Sequence, residues 1–75
     1  MTEKDAHQWI TIGELAQRSG VSVPAIRFYE EKELIWSIRT EGKQRRYQRA
    51  MLRRVAIIKV AQQVGMRLQQ VKEAF

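Results

Sequence analysis

The sequence lacks cysteine entirely and contains one proline, four glycines and one histidine among its 75 residues. Without cysteine, the chain cannot form disulfides, thiolate metal sites or cysteine-ligated iron–sulfur clusters of its own. His7 stands in a polar stretch without a second candidate ligand, so we predict no metal site. No apolar run approaches the ~18 residues of a membrane span, and the N-terminus lacks the apolar core of a signal peptide. We expect a cytoplasmic protein.

Catalytic patterns are missing as well. No serine has a triad context, and the carboxylates show no pairing with a nearby base and pocket, so we predict that the chain is not an enzyme. A chain of 75 residues makes one small domain, which buries only about 60% of its unfolded surface.

The charge of the chain is strongly basic, with a formal net charge of +6. Such a balance favours a polyanionic partner, although surface charge can also serve solubility. Between residues 39 and 54, seven basic residues accompany a single acid, Glu41. A solvated face is the ordinary explanation for a charge run. The position of this run beside the helices described next favours a nucleic acid instead.

Two short helices joined by a tight turn are indicated near the N-terminus. Thr11 and Glu14 have the spacing of a capping box, and Gly20 suits a left-handed residue at the helix end. Ser22 is a good N-cap for a second helix, and Pro24 falls where the first turn needs no backbone donor. A glycine-containing turn between two such helices predicts a helix-turn-helix.

The second helix carries the candidate DNA-reading side chains. Val23 and Ile26 lie at helical spacing and are expected to face the core. Arg27 lies one position after Ile26 and Tyr29 three positions after it, and we expect both to point away from the core. The Tyr29 ring is expected to pack against the wing while its hydroxyl bonds a phosphate. Phe28 is expected to be a core residue rather than a base-stacking one.

A hairpin is predicted after this helix, because β-compatible residues flank Gly42 over residues 39–47. Tyr47 is expected to be buried under this wing, with Arg45 and Arg46 pointing outward. Glu33, at the end of the second helix, occupies a position that would suit glycine better.

A third helix is predicted over about residues 49–64, closed by Gly65, and a fourth from Leu68. The third helix has no good N-cap, and basic residues in its first turn oppose its dipole; an approaching phosphate would explain both.

Two apolar sets lie on different sides of this third helix: Met51, Val55 and Ile58 on one, and Ile57, Val60 and Val64 on the other. Because a small domain cannot bury both, we expect an exposed apolar stripe. Trp9 and Trp36 are expected at the core edge. The helical pattern continues at Phe75, which suggests either a truncated chain or an isolated domain.

These segments together resemble the DNA-binding domain of the MerR family. The similarity is carried by residues 11–16, 19–22, 27–30, 42–47 and 63–66, in the order and spacing of that family. Residues 37–39, 44–47 and 55–59 are most similar to its SoxR branch. The likeness covers about residues 9–75 and leaves residues 1–8 as a flexible tail.

The resemblance implies a mainly α fold with a small β-hairpin wing, that is, a winged helix-turn-helix followed by a second helix pair. It implies that the second helix enters the major groove, that the wing holds flanking backbone, and that dimers act on pseudo-palindromic promoters. RNA polymerase is a further partner that it suggests. In the SoxR branch a cysteine-held 2Fe-2S cluster follows the dimerisation helix. This chain contains neither, so a cluster is expected only in a C-terminal region missing here. Glu33 in place of the usual glycine, Pro24 and Arg27 are departures from the family pattern.

We therefore predict sequence-specific binding of double-stranded DNA by a transcription regulator. The predicted DNA-contacting residues are Arg18, Ser22, Arg27, Tyr29, Lys43, Arg45 and Arg46. The prediction requires Arg27 and Arg46 to face the same side of the molecule, and Tyr29 to be accessible. Two alternatives stay open at this point. One is an architectural, excisionase-type winged helix that bends DNA, and the other is a protein-interaction module docking through the third helix.

Overall fold

The computed structural model describes residues 8–40 and 42–75. In chain order its elements are β1 (Trp9–Ile10), α1 (Ile12–Ser19), α2 (Val23–Glu31), β2 (Ile38–Arg39), β3 (Arg45–Gln48), α3 (Met51–Gln63) and α4 (Leu68–Ala74). This confirms the predicted mainly α fold with a small wing and a second helix pair. None of the helices in the described ranges is long and apolar enough to cross a membrane.

The helix-turn-helix is fixed by the caps that the sequence predicted. The hydroxyl oxygen of Thr11 accepts a hydrogen bond from the Glu14 amide at 3.0 Å, and the Glu14 carboxylate accepts one from the Thr11 amide at 3.4 Å. Gly20 ends α1 at φ 73°, a left-handed conformation that needs glycine's freedom. The Ser22 hydroxyl accepts from the Ala25 amide at 3.2 Å and starts α2. These bonds satisfy amides that a helix start leaves without partners.

The wing is part of a three-stranded antiparallel sheet with strand order β1-β3-β2. The predicted hairpin is β2 and β3, with Arg39 opposite Arg45. β1 was not predicted; it places Ile10 opposite Tyr47 on the other edge of β3. The Arg49 amide also donates to the Gln8 carbonyl at 2.6 Å. Gln8, which was predicted to belong to the flexible tail, is therefore paired through its backbone. Residues 1–7, the rest of that predicted tail, lie outside the described residues.

A single hydrophobic core joins α1, α2, β3, α3 and α4. Its fully buried large side chains are Tyr47, Leu15, Ile26, Leu34, Ile35, Ile58 and Val55. As predicted, one side of α3 is buried while Val60 and Val64 on the other are 58% and 73% exposed. Ala50 at the start of α3 makes no side-chain capping bond, which confirms the predicted poor cap.

The end of α2 shows why glycine would suit position 33. Glu33 has φ 62°, in the left-handed region that side chains with a Cβ rarely adopt. The Glu33 and Leu34 amides donate to the Glu30 and Tyr29 carbonyls at 3.0 and 2.9 Å. The chain thus closes the helix with the usual left-handed residue, at a cost that glycine would avoid.

Candidate nucleic-acid interface

Two adjacent aromatic residues of α2 are placed opposite to the prediction. Tyr29 is buried, 6% exposed, and its hydroxyl donates to Oε1 of Gln62 on α3 at 2.7 Å. Phe28 is 43% exposed. The prediction that Tyr29 points outward and that Phe28 is core was wrong because three helical steps of about 100° return to the face of Ile26. Two such steps, from Ile26 to Phe28, reach the opposite face. Burial also raises the pKa of Tyr29. Tyr29 therefore supports the packing of α2 on α3 and fails the condition of accessibility stated above. That condition was wrong as a requirement for DNA binding by α2, which depends instead on the exposed Arg27.

Arg27 and Arg46 meet the other condition. They line one concave surface of about 560 Å³ between α2, the start of α1 and the wing, which we call the basic cleft. Its lining residues are Thr11, Ile12, Arg27, Arg39, Lys43, Gln44, Arg45 and Arg46. Five of these eight are cationic, and none of the lining residues within the described ranges is acidic. Such a focus of positive charge attracts a polyanion.

Two arginines of the wing, Arg39 and Arg46, are held in place by local hydrogen bonds. The Arg46 guanidinium donates to the Arg45 carbonyl at 3.0 Å and to Oε1 of Gln44 at 2.8 Å. The guanidinium of Arg39 donates to the Lys43 carbonyl at 3.4 Å. A guanidinium has five N–H donors, so further donors are available to an anion. Pre-positioning lowers the entropy lost when that anion binds.

The wing is joined to α2 by the carboxylate of Glu30. Its Oε1 accepts from the Tyr47 hydroxyl at 2.5 Å, and its Oε2 accepts from the Ser37 hydroxyl at 2.7 Å. Tyr47 is fully buried, as predicted. Burial, the larger cause, and the hydrogen bond to Glu30 together raise the pKa of Tyr47 to about 12. The two bonds set the position of the wing against the helix that carries Arg27.

Two of the predicted site residues, Arg18 and Ser22, lie outside the basic cleft. Arg18 is exposed in the last turn of α1, and Ser22 is exposed with its hydroxyl engaged in the cap of α2. Lys43 does line the cleft, at φ 60° in the wing turn. Arg39 was counted in the charge run but not selected as a site residue. Arg39 lies opposite Arg45 across the two strands. The sequence would have identified Arg39 as a site residue only if it had given the register of the hairpin.

Arg54, the last residue of the basic run over residues 39–54, is held by three contacts. Its Nε donates to the Leu34 carbonyl at 2.9 Å, and its guanidinium lies 4.7 Å from the Trp36 ring centroid and 3.9 Å from that of Phe75. Trp36 is 51% exposed rather than a core-edge residue. The prediction failed there because this ring packs on a guanidinium instead of on apolar side chains.

A metal centre finds no support in the described part of the chain. No group of three or more histidine, cysteine or acidic side chains capable of holding an ion occurs among the described residues. His7, the residue considered for this role, lies outside them.

Comparisons with known proteins agree with the geometry. The model of the MerR HTH family of regulatory proteins matches residues 10–75. The chain is 54% identical over 65 residues to an HTH-type transcriptional activator SoxR homolog from Chromobacterium violaceum, a match covering 87% of this chain and 44% of that protein. It is 38% identical over 63 residues to the HTH-type transcriptional regulator ZntR from Escherichia coli, covering 83% of this chain and 45% of that protein.

Solved structures give the same result. HiNmlR, a MerR family regulator lacking the sensor domain and bound to promoter DNA, is similar with TM-score 0.79 and 26% identity, over 87% of this chain and 50% of that one. A MerR family transcriptional regulator from Bacillus cereus has TM-score 0.79 and 28% identity, over 88% of this chain and 50% of that one. The chain spans about half the length of these relatives. Family match, sequence identity and fold together show that this chain belongs to the MerR family of helix-turn-helix regulators.

Proposed function

We propose that this chain is the DNA-binding domain of a transcription regulator and binds duplex DNA sequence-specifically. The observation that carries the proposal is the basic cleft, in which five cationic side chains lie between the exposed edge of α2 and the wing. An α-helix of this kind fits the major groove, and a wing beside it reaches the flanking phosphates. A MerR family relative of the same fold is bound to promoter DNA, which supports the proposal.

The side chains divide into reading and anchoring roles. Arg27 is exposed on α2, where a guanidinium suits the O6 and N7 acceptors of guanine or a phosphate. Arg45 and Arg46 on β3 are assigned to phosphates, with Lys43 in the wing turn beside them. Arg39 joins this set because it lines the same cleft.

Contacts from Arg18 on α1 and from Ser22 at the start of α2 to the DNA backbone remain predictions. Tyr29 has no reading role in this proposal, because its hydroxyl is bonded to Gln62 inside the fold. Any contribution of Tyr29 to binding passes through the position of α2.

Dimerisation and promoter control belong to the proposal for a longer form of the protein. Paired half-sites would multiply the affinity of two weakly binding domains by raising the effective concentration of the second. An apolar groove on α3 gives such a form a surface for association. It is lined by Arg53, Ala56, Ile57, Val60, Ala61, Val64 and Met66. RNA polymerase would be a partner of that longer form. Redox sensing is not proposed for this chain, since it contains no cysteine to hold a cluster.

The experiment begins by selecting a preferred duplex from a randomised library and measuring its affinity by fluorescence anisotropy. Arg27→Ala should weaken binding to that duplex by about 1–3 kcal/mol and relax the preference at one position if Arg27 contacts a guanine edge. Arg45→Ala should weaken the selected and a scrambled duplex alike and lower the salt slope by about 1.

Lys72→Ala is the matched control, because it removes one positive charge from α4, outside the basic cleft. If Lys72→Ala lowered affinity as much as Arg45→Ala, binding would reflect net charge and the proposed site would be wrong.

A further inference from the structure

We propose that Phe28 is a specificity-determining residue that contacts the C5 methyl group of a thymine in the major groove. The inference rests on the proposed function and names one chemical group that α2 recognises. Phe28 is exposed on α2.

The exposed face of α2 consists of Pro24, Arg27, Phe28 and Glu31. Ile26 and Tyr29 lie on the opposite, buried face. At about 100° per residue, Arg27 and Phe28 lie on either side of the line through Pro24 and Glu31. A helix that presents Arg27 to base edges therefore presents the Phe28 ring to the same groove.

Packing within the fold does not explain the aromatic side chain at position 28. It is neither in the hydrophobic core nor among the partly buried residues packed against it. Nζ of Lys32, one turn later, lies 5.4 Å from the ring centroid, a cation–π contact within α2. An exposed pair of this kind contributes little to stability, and the ring remains 43% exposed. An aromatic ring on the reading face is better explained by a ligand than by packing.

The chemistry of the ring limits what it can recognise. A phenyl ring has no hydrogen-bonding group, so it cannot read the donor and acceptor pattern of the base edges. The apolar group that the major groove displays is the C5 methyl of thymine. Burying that methyl against Phe28 removes apolar surface from water and distinguishes thymine from cytosine and the purines.

The test uses the duplex selected with the whole chain, and replaces each thymine in turn by deoxyuridine, which removes only the methyl group. We expect one position per half-site at which the uridine duplex binds about three- to fivefold more weakly, the effect of one buried methyl group. With Phe28→Ala, the thymine and uridine duplexes should bind equally at that position.

The ratio of the two affinities does not depend on the fraction of active protein, so a partly unfolded variant cannot imitate this result. Lys32→Ala is the control and should keep the ratio of the wild-type chain.

The inference is overturned if no thymine shows methyl dependence, if Phe28→Ala retains it, or if Lys32→Ala abolishes it equally. A uniform loss of affinity in Phe28→Ala, with thymine and uridine still alike in the wild-type chain, would place the ring against sugar or backbone instead. These outcomes leave the proposed function intact, because the chain still binds DNA. Failure to enrich any duplex would overturn both.

Discussion

Replacing Tyr47 by phenylalanine tests the link between the wing and α2. The change removes only a hydroxyl that donates to Oε1 of Glu30, and the buried ring is kept. A hydrogen bond to a charged group contributes about 1.5–3 kcal/mol. Glu30 is half-buried and keeps its bond from Ser37, so solvent and that bond compensate in part. We expect Tyr47→Phe to lower the free energy of unfolding by about 1.5–2 kcal/mol at pH 7.

The same bond predicts a pH dependence. Burial and the bond to Glu30 raise the pKa of Tyr47 to about 12 in the folded chain, against about 10 in an unfolded one. Between these values the unfolded chain releases the proton while the folded chain keeps it, so stability falls as the pH rises. The contribution is complete below about pH 10 and is lost by about pH 12, and amounts to the order of 2 kcal/mol.

Urea unfolding followed by far-UV circular dichroism, at intervals from pH 7 to pH 12, measures both effects. All other ionisable groups are the same in both proteins, so their contributions cancel in the difference between wild type and Tyr47→Phe. That difference should be largest near neutral pH and should shrink above pH 10. A difference below about 0.5 kcal/mol at pH 7 would refute the proposed role of the Glu30 bond. A difference that stays constant up to pH 12 would refute the raised pKa of Tyr47, of which burial is the larger cause.

Two further changes test the fold at single positions. Glu33→Gly should raise the free energy of unfolding by about 0.5–1 kcal/mol, because glycine avoids the left-handed strain but costs more chain entropy. Glu33→Ala keeps the Cβ atom and should stay near wild type; equal stabilisation by both would show that φ at this position is not the cause. Tyr29→Phe removes the bond to Gln62 and should cost about 0.5–1.5 kcal/mol of stability. The affinity of Tyr29→Phe for the duplex should remain within about twofold of wild type. A loss of about tenfold or more would show that the Tyr29 hydroxyl contacts DNA.

Local signals in the sequence were sufficient for the caps and turns. Thr11 with Glu14, Ser22 and Gly20 each satisfy a backbone requirement within three or four residues, so no tertiary information is needed to place them. Glu33 was recognised as a poor fit for the same reason: a helix end demands a left-handed residue wherever the rest of the chain goes.

The errors arose where tertiary packing decides. Phe28 and Tyr29 are adjacent aromatic residues, and a helix wheel centred on Ile26 places Tyr29 inward only if the core face is wide enough to include it. β1 was not predicted because a segment of two residues shows no alternation of apolar and polar side chains. These residues form a strand only because they pair with β3. Trp36 was misplaced because its partner, Arg54, lies on α3, far in sequence from the segment between α2 and β2 that carries Trp36.

The residues of the basic cleft were found only in part. Charge density and the hairpin pattern identified Lys43, Arg45 and Arg46, while Arg27 followed from the helix-turn-helix. Arg39 needed the strand register, which depends on how β2 and β3 align rather than on composition.

Titrating a selected duplex at several salt concentrations tests the central claim most directly. If the basic cleft places about five cationic groups near phosphates, log K should fall with log salt with a slope of roughly −4 to −5. A slope of this size, reduced by about one in Arg45→Ala and unchanged in Lys72→Ala, is the predicted result. A flat salt response, or equal slopes in all three proteins, would contradict the assignment of the cleft as the DNA-binding surface.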